Sequence, residues 1–204
     1  YQGRYGKART YCRRAMERRR ELGYELDIGL SHNTLGLVYR DLGEYSDARE
    51  HTEEALRIFR KYNPEHQVRA LINLGYIEYL TGNSDEAMHW YEKAKRLCDK
   101  HNLRFHMPRL LSKLGLLYQQ RGELDQAEDA FRKGHDIAVK YKDALFEVVN
   151  LEYLARLKYL RGDKEEARRL AKEILKRKGV YQFRISFGEA ELLLGHVAWD
   201  EGSK

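Results

Sequence analysis

The chain of 204 residues has little proline and little cysteine, with two of each. Because proline breaks helix interiors, its scarcity permits helix along almost the whole chain, and the abundance of Leu, Ala, Glu, Arg and Lys favours it. Cys12 and Cys98 form no CxxC motif and no Cys/His metal spacing. A small disulfide-stapled scaffold is therefore excluded, and both cysteines are expected to be reduced residues within helices.

Long apolar runs are also missing, since no segment approaches the roughly 20 apolar residues that span a bilayer. The chain opens at Tyr1 without the basic and then apolar leader of a secretory signal. Together with the scarcity of cysteine, these absences predict an intracellular, cytoplasmic protein.

Catalytic motifs are absent as well. The eight histidines form no HExxH motif, and the glycines form no P-loop, GxGxxG or GxSxG motif. Each of these motifs holds a metal, a phosphate or a nucleophile in place, and nothing in the sequence takes their role. The sequence therefore predicts a protein that is not an enzyme, with no cofactor and no metal site.

The positive charge is concentrated at one end of the chain. Residues 1–22 hold eight basic and two acidic side chains, which accounts for the whole net charge of +6, and the remaining residues balance. The segment RTYCRRAMERRR invites a nucleic-acid interpretation, but Tyr11 is its sole aromatic residue and no helix-turn-helix pattern follows. A solvated helix face, or a face against a preceding repeat, is the favoured interpretation; nucleic-acid contact is the less favoured alternative.

Small residues recur at a spacing of 39 or 40 residues, which is the signature of an internal repeat. One row of glycines comprises Gly3, Gly43, Gly82, Gly122, Gly162 and Gly202. Five residues after the first five of these lies an alanine: Ala8, Ala48, Ala87, Ala127 and Ala167. Seven residues before the last five lies a small residue preceded by leucine: Gly36, Gly75, Gly115, Ala155 and Gly195.

The chemistry of the three rows predicts a helix, a tight turn and a second helix in each unit. The small residue after leucine lets a neighbouring helix approach closely, and the turn glycine ends the first helix in a left-handed conformation. Capping-box spacing at Asn83 and Glu86, and at Asp163 and Glu166, marks the start of the second helix. The alanine follows one turn into that helix. A second break is expected at Gly23, Asn63, Asn102 and Gly179.

The segments LGLVYRDLGEYSDAREHTEEAL and LGLLYQQRGELDQAEDAFRKG resemble the signature of the tetratricopeptide repeat. With units of 39 to 40 residues rather than 34, the chain is similar to the long repeats of kinesin light chains, spindle-orientation adaptors and the sensor arrays of STAND proteins (NLR-like and maltose-regulator-like). The resemblance implies an all-α fold, a right-handed α-solenoid of about ten helices in one array. Its predicted divisions are a half repeat 1–23, repeats 24–63, 64–102, 103–143 and 144–180, and a half repeat 181–204.

The fourth unit departs most from the pattern. It has Ala155 for the usual glycine, Lys158 for tyrosine, Lys164 for an aromatic residue or leucine, and Ile174 for alanine. Gly162 keeps the phase, so the segment is still interpreted as a repeat. Looser packing is expected there.

In the resembled family the first helices line a concave, partner-binding face. Carried over by register, that face comprises Asn33, Leu37, Arg40, Arg69, Ile72, Asn73, Tyr76, Tyr79, Arg109, Ser112, Lys113, Leu116, Gln119, Glu152, Tyr153, Arg156, Tyr159, His196 and Trp199. Rings interleaved with basic and amide groups suit an extended peptide. The alternative for the tyrosines is packing between adjacent helices. The Lys/Asn set with which chaperone-binding relatives clamp a carboxylate is incomplete here, with Asn33 and Asn73 the nearest matches.

The resulting hypothesis is a non-catalytic scaffold that binds a protein or peptide, as the interaction or ligand-sensing segment of a larger regulator. The alternative is a sensor of a small, sugar-like molecule within a STAND-type regulator. The sequence also predicts head-to-tail self-association through end helices that lack a partner helix. The residues expected to be left partly bare are Leu192, Leu193, Leu194, Val197 and Trp199.

Overall fold

The computed structural model describes residues 2–177 and 184–202, and within them it contains ten α-helices and no strand. In chain order the helices are α1 (Gln2–Glu21), α2 (Glu25–Leu42), α3 (Tyr45–Phe59), α4 (Pro64–Leu80), α5 (Ser84–Lys100), α6 (Met107–Gln120), α7 (Leu124–Tyr141), α8 (Ala144–Leu160), α9 (Lys164–Lys176) and α10 (Arg184–Gly202). A short 3-10 helix, Arg104–His106, precedes α6. The predicted all-α fold of about ten helices is confirmed.

The helices fall into two compact units, Tyr1–His106 and Met107–Lys204. The first unit holds α1 to α5 and the second holds α6 to α10, and in each unit consecutive helices pack against one another. The division into repeats at the predicted boundaries stays a prediction. The break expected at Gly179 lies outside the described residues.

Left-handed glycines end the first helix of each pair, as the sequence predicts. Gly43, Gly82, Gly122 and Gly162 have φ between 76° and 83°, and Gly23 has the same conformation after α1. An L-residue with a side chain rarely adopts this conformation, which explains the glycine row. The outer members of the row differ: Gly3 lies inside the first turn of α1 and Gly202 is the last residue of α10, so neither forms a turn between two described helices.

The two predicted capping boxes have different outcomes. At the start of α9 the Asp163 carboxylate accepts a hydrogen bond from the Glu166 backbone N–H at 3.2 Å, as expected. At the start of α5 the prediction is wrong, because Asn83 makes no side-chain cap. Its amide donates instead to the carboxylate of Glu78, at 2.8 Å. Glu78 is 2% exposed, so its demand for donors takes precedence over the cap.

The small residues of α2, α4 and α6 each face a side chain of the second helix that follows, and for Gly36 this side chain is Thr52. A Cβ added to Gly75 would overlap the ring of Tyr91, and one added to Gly115 would overlap the ring of Phe131. Both rings are fully buried. The glycine on the first helix therefore leaves space for an aromatic ring of the second helix to pack against the first. This contact sets the distance between the paired helices.

The same contact explains the departures of the fourth unit. Where Ala155 replaces the glycine, the facing position in α9 is Ala171 rather than a ring, and both alanines are buried. Ala167 and Ile174 are also fully buried, so the core of this unit is closed to solvent. The looser packing expected for this unit stays a prediction. The extra methyl group on one helix is matched by a smaller residue on the other.

Lys158, which replaces the usual tyrosine, takes part in an ion-pair cluster. The Glu128 carboxylate lies 2.8 Å from the Lys158 ammonium and 2.7 Å from the guanidinium groups of both Arg132 and Arg161. Burial works against the charged carboxylate, but hydrogen bonds from Lys158 and Arg132 outweigh it and lower the pKa of Glu128 to about 2. The lysine thus joins α8 to α7 by charge.

Leucine at the alanine row should destabilise the fold. Ala87 and Ala127 are 0% exposed, and overpacking such a contact costs about 1–3 kcal/mol. For a chain of this size we expect Ala87→Leu and Ala127→Leu to lower Tm by about 2–12 °C in thermal melts. Arg14→Ala, at an exposed position of α1, should change the free energy of unfolding by less than about 0.5 kcal/mol. Equal Tm values for all three variants would show that the register is wrong.

The glycine contacts give a sharper test. Gly115→Ala should lower the free energy of unfolding by about 1–3 kcal/mol, because the new methyl group overlaps the buried Phe131 ring. Gly188→Ala is the matched control: it lies in helix α10 with nothing within 4 Å of an added Cβ, and alanine should be neutral or stabilising there by about 0.5–1 kcal/mol. Urea denaturation of both variants measures this. A Gly115→Ala chain as stable as the parent would contradict the role of the contact.

Candidate functional site

In the first unit, the binding face predicted from the sequence includes a cluster of one arginine and two tyrosines. The Arg40 guanidinium lies 5.3 Å from the centroid of the Tyr76 ring, which is cation–π distance. Tyr79 stacks on Tyr76, with ring centroids 5.7 Å apart and an angle of 11° between the rings. All three side chains are half-buried, so part of each remains open to a ligand. Arg40 is held from its other side by Asp41, at 2.6 Å.

A buried hydroxyl lies beneath these rings. The Tyr91 side chain crosses α4 at Gly75, and its hydroxyl oxygen has no hydrogen-bond partner in the described part of the chain. Burial raises the pKa of Tyr91 well above its usual value, and the neighbouring Tyr76 and Tyr79 add to the shift. Sequence reasoning missed this residue. The signal that could have found it is an aromatic residue that follows the small residue of its pair by 16 positions, as Phe131 follows Gly115.

The two asparagines predicted for the binding face contact each other. The Asn73 amide donates to the Asn33 side-chain oxygen at 3.0 Å, and this bond joins α4 to α2. Both residues are less than 7% exposed. A buried amide must find a partner within the protein, and here each asparagine finds the other. The two asparagines therefore form a hydrogen bond between α4 and α2.

Three further members of the predicted face are buried: Ile72, Ser112 and Glu152. The Ser112 hydroxyl donates to the backbone oxygen of Arg109 at 2.7 Å. Burial raises the pKa of Glu152, against hydrogen bonding by Ser186 and the attraction of Arg156. The members that remain half-buried are Leu37, Arg69, Lys113, Leu116, Gln119 and Tyr153, together with Arg109, whose guanidinium lies 5.4 Å from the ring centroid of Phe146.

In the second unit the face carries a cleft of about 230 Å³ between α8 and α10. Its lining comprises Arg156, Tyr159, Leu160, Glu189, Leu192, Leu193 and His196. The structure thus brings three predicted residues, Arg156, Tyr159 and His196, to one place. Leu160 and Leu192 are 62% and 54% exposed and give the cleft an apolar mouth. Leu160 was missed as a binding residue, although it directly follows the predicted Tyr159.

Tyr159 is held in position by polar contacts on its outer side. Its hydroxyl donates to the Asp200 carboxylate at 3.0 Å, and Lys164 lies 3.0 Å from the same carboxylate. The His196 ring lies 6.1 Å from the Tyr159 ring between centroids. Arg156 is more loosely held, since its guanidinium is 3.9 Å from Glu152 and its side chain is half exposed. The cleft therefore combines a fixed ring with an adaptable cation.

The residues predicted to take part in head-to-tail self-association divide into covered and exposed ones. Leu193 and Val197 are 6% and 0% exposed, so the expectation that they lie bare is wrong. Leu193 packs into the core formed by α8 and α9, which covers this side of α10. Leu194 is half-buried, whereas Leu192 is 54% and Trp199 is 76% exposed.

Arginines of the basic segment contact α2 and the turn that follows it. The Arg13 guanidinium donates to the Tyr39 hydroxyl at 2.7 Å, and Arg19 donates to the hydroxyl of Ser31. Arg9 lies 3.8 Å from Glu44. These three side chains have partners within the protein, which accounts for part of the charge run without a nucleic-acid ligand.

Within residues 2–177 and 184–202, no group of three or more His, Cys, Asp or Glu side chains is arranged to hold a metal ion. Across the same residues, no helix has the length and apolar content needed to cross a membrane.

Curated proteins share part of this sequence. Response regulator aspartate phosphatase E of Bacillus subtilis (strain 168) is 31% identical over 134 residues, which cover 64% of this chain and 35% of that protein. The chain thus spans about a third of the length of this relative.

Solved structures share the fold. The Rap conjugation gene regulator of plasmid pLS20, in complex with the Phr* peptide, has a TM-score of 0.81 and 19% identity, covering 94% of this chain and 53% of that one. A STAND protein with a tetratricopeptide repeat sensor from Pyrococcus horikoshii has a TM-score of 0.64 and 16% identity, covering 97% and 34%. The model of the MalT-like TPR region matches residues 1–204, and the chain belongs to this family of tetratricopeptide repeats.

Proposed function

We propose that this chain is a non-catalytic scaffold that binds a peptide or a protein segment, and that it serves as the interaction or ligand-sensing segment of a larger regulatory protein. The observation that carries the proposal is the α8–α10 cleft, in which the Tyr159 ring, the Arg156 cation and two exposed leucines meet. Arg40, Tyr76 and Tyr79 offer the same chemistry on the first unit.

The chemistry of the cleft suits the side chain of a peptide. Leu160 and Leu192 would take an apolar side chain, and burial of exposed apolar surface is the main favourable contribution to such binding. Arg156 can turn from Glu152, at 3.9 Å, toward a carboxylate or a backbone oxygen of the ligand. Tyr159, fixed by Asp200, loses little conformational freedom on binding.

The size of the cleft favours a peptide over a free small molecule. Pockets for drug-sized molecules measure about 300–1,000 Å³ and enclose most of the ligand, whereas this cleft holds about 230 Å³ and opens to solvent. The STAND neighbour, which carries a tetratricopeptide repeat sensor, supports the small-molecule alternative only at the level of the fold. A sugar-like ligand therefore remains the second candidate.

The named relatives support regulation through binding. The pLS20 regulator is described in complex with a peptide, which makes a peptide ligand the first choice for this chain. The Bacillus relative is named a phosphatase, and the chain covers 35% of it. We propose that this chain has no such activity. Release of inorganic phosphate from acetyl phosphate, at a rate above that of buffer alone, would contradict the proposal.

A cytoplasmic location stays a prediction of the sequence.

Peptide binding should depend on the solvent-accessible side chains of the binding face predicted from the sequence. The purified chain is used to select binders from a phage-displayed library of random linear peptides, and the affinity of the selected peptides is measured by calorimetry. Arg156→Ala with Tyr159→Ala, or Tyr79→Ala alone, should weaken the binding of peptides that contact the altered unit by about tenfold or more, since anchors of this type dominate interfaces. All three substitutions together should weaken every selected peptide.

The controls are exposed lysines on second helices, Lys95→Ala in α5 and Lys172→Ala in α9, which should leave affinity unchanged. Circular dichroism confirms that helix content is retained in every variant. Selected peptides that bind the triple variant as tightly as the parent would refute the assignment of the face. Nucleic-acid contact through α1 would appear instead as oligonucleotide binding that falls steeply with salt.

Self-association through α10 is a separate proposal, supported by the exposure of Leu192 and Trp199. Apolar side chains of this size on one helix tend to find a partner surface. Sedimentation velocity over a range of concentrations should show association that Leu192→Glu and Trp199→Glu reduce. A matched change at an exposed polar site, Glu191→Gln, should leave it unaffected. A monomer at every concentration would disprove this proposal.

A further inference from the structure

Two histidines from paired helices meet in the interior of the first unit. His32 on α2 and His51 on α3 approach with 2.9 Å between their Nδ1 atoms and 5.1 Å between their ring centroids. His32 is 6% exposed and His51 is half-buried. At this distance one ring must donate its N–H and the other must accept it, so the pair is a single hydrogen bond in which the accepting imidazole is neutral.

The groups that surround the pair come from all the helices packed there. From α1 come the cations Arg13 and Arg20. From α3 come the anions Asp47, Glu50 and Glu54 and the cation Arg57. From α2, the Tyr39 ring stacks on His51 at 5.2 Å between centroids, and α4 places Ile77 in the apolar cluster that includes Tyr39.

We propose that the His32–His51 pair is a pH-sensitive latch, which holds α2 against α3 when the imidazoles are neutral and releases them when both become protonated. The first proton can be shared, because a charged ring still donates to a neutral one. The second proton places two N–H donors opposite each other at 2.9 Å, with no acceptor between them. Their hydrogen bond is then lost, and two like charges repel each other in a site with little water.

The sign of the pH dependence follows from burial. Burial lowers the pKa of His32 below its ordinary value of 6.5, and the neighbouring His51 adds to the shift. Burial also lowers the pKa of His51, against the opposing effect of Glu50. The unfolded chain therefore binds protons more readily than the folded chain does. The stability that the pair contributes is present above about pH 6.5 and is lost as the pH falls through the lower pKa values of the folded state.

Release of the latch would reach beyond the two histidines. The ring of Tyr39 lies against His51, and its hydroxyl receives the Arg13 hydrogen bond that ties α1 to α2. The next residue of α2 is Arg40, whose guanidinium contacts the Tyr76 ring. Movement of His51 away from α2 thus removes the support of a ring that orders both the α1 contact and the end of α2.

The test compares thermal melts at about pH 7.5 and about pH 5 for the parent chain and for the double variant His32→Gln with His51→Gln. Glutamine can keep a hydrogen bond between the helices but does not titrate. On acidification, the Tm of the parent should fall by about 3–5 °C more than that of the double variant, because only the parent loses the bond between the imidazoles and gains the repulsion of two charges. The control His101→Gln, at an exposed helix end, should behave like the parent. Equal falls in the parent and the double variant would overturn the proposal.

A second measurement uses the parent chain alone, so it does not depend on whether a variant folds. NMR titration of the parent chain follows the imidazole signals of all its histidines as the pH is lowered. The proposal requires two imidazoles with midpoints below 6.5, and faster amide hydrogen exchange in α2 and α3 over the same pH range. Midpoints at or above 6.5 for all histidines, or unchanged exchange in these helices, would also overturn it.

Discussion

The close approach of a first helix to its second helix at one small residue is the constraint on which each helix pair depends. At Gly75 and Gly115 a hydrogen atom occupies the place where a methyl group would overlap a buried ring. The ring itself supplies much of the apolar surface that the pair buries, since an aromatic side chain contributes about 150–250 Å². The glycine costs about 0.5–1 kcal/mol as a helix residue, and the ring contact that it permits offsets this cost.

This constraint explains why so much of the fold can be predicted from the sequence. A tight contact leaves few choices at its own position, so small residues recur in phase even where the residues around them vary. The turn glycines have the same property for a different reason, because Gly43 and its equivalents adopt a backbone conformation that disfavours other residues. Capping is less predictable. Asn83 has the right spacing for a cap, but the buried carboxylate of Glu78 competes for its amide through a contact that spacing alone does not reveal.

The candidate site was harder to predict, because helical periodicity assigns a residue to a face but does not say what covers that face. Register placed Asn33 and Asn73 on the face of Arg40 and Tyr79, yet the two asparagines bond to each other between α2 and α4. In the basic segment, too, the sequence does not reveal which side chains a neighbouring helix covers. Charge alone suggests exposure, whereas Arg19 is half-buried and donates to the Ser31 hydroxyl on α2. Burial by a neighbouring helix depends on contacts distant in sequence, and one sequence does not report them.

The fourth unit shows how such a fold can vary its surfaces while it keeps its core. Ala155 is tolerated because Ala171 stands where α5 and α7 carry the rings of Tyr91 and Phe131, and Lys158 is tolerated because the Glu128 carboxylate holds it. Both are pairwise exchanges between adjacent helices, and neither requires a change elsewhere. Such an exchange is not confined to one helix pair, since Lys158 joins α8 to α7 of the preceding pair. A pair of histidines at the α2–α3 contact is another exchange of this kind, one that brings a titratable hydrogen bond into a position where the other units carry packing alone.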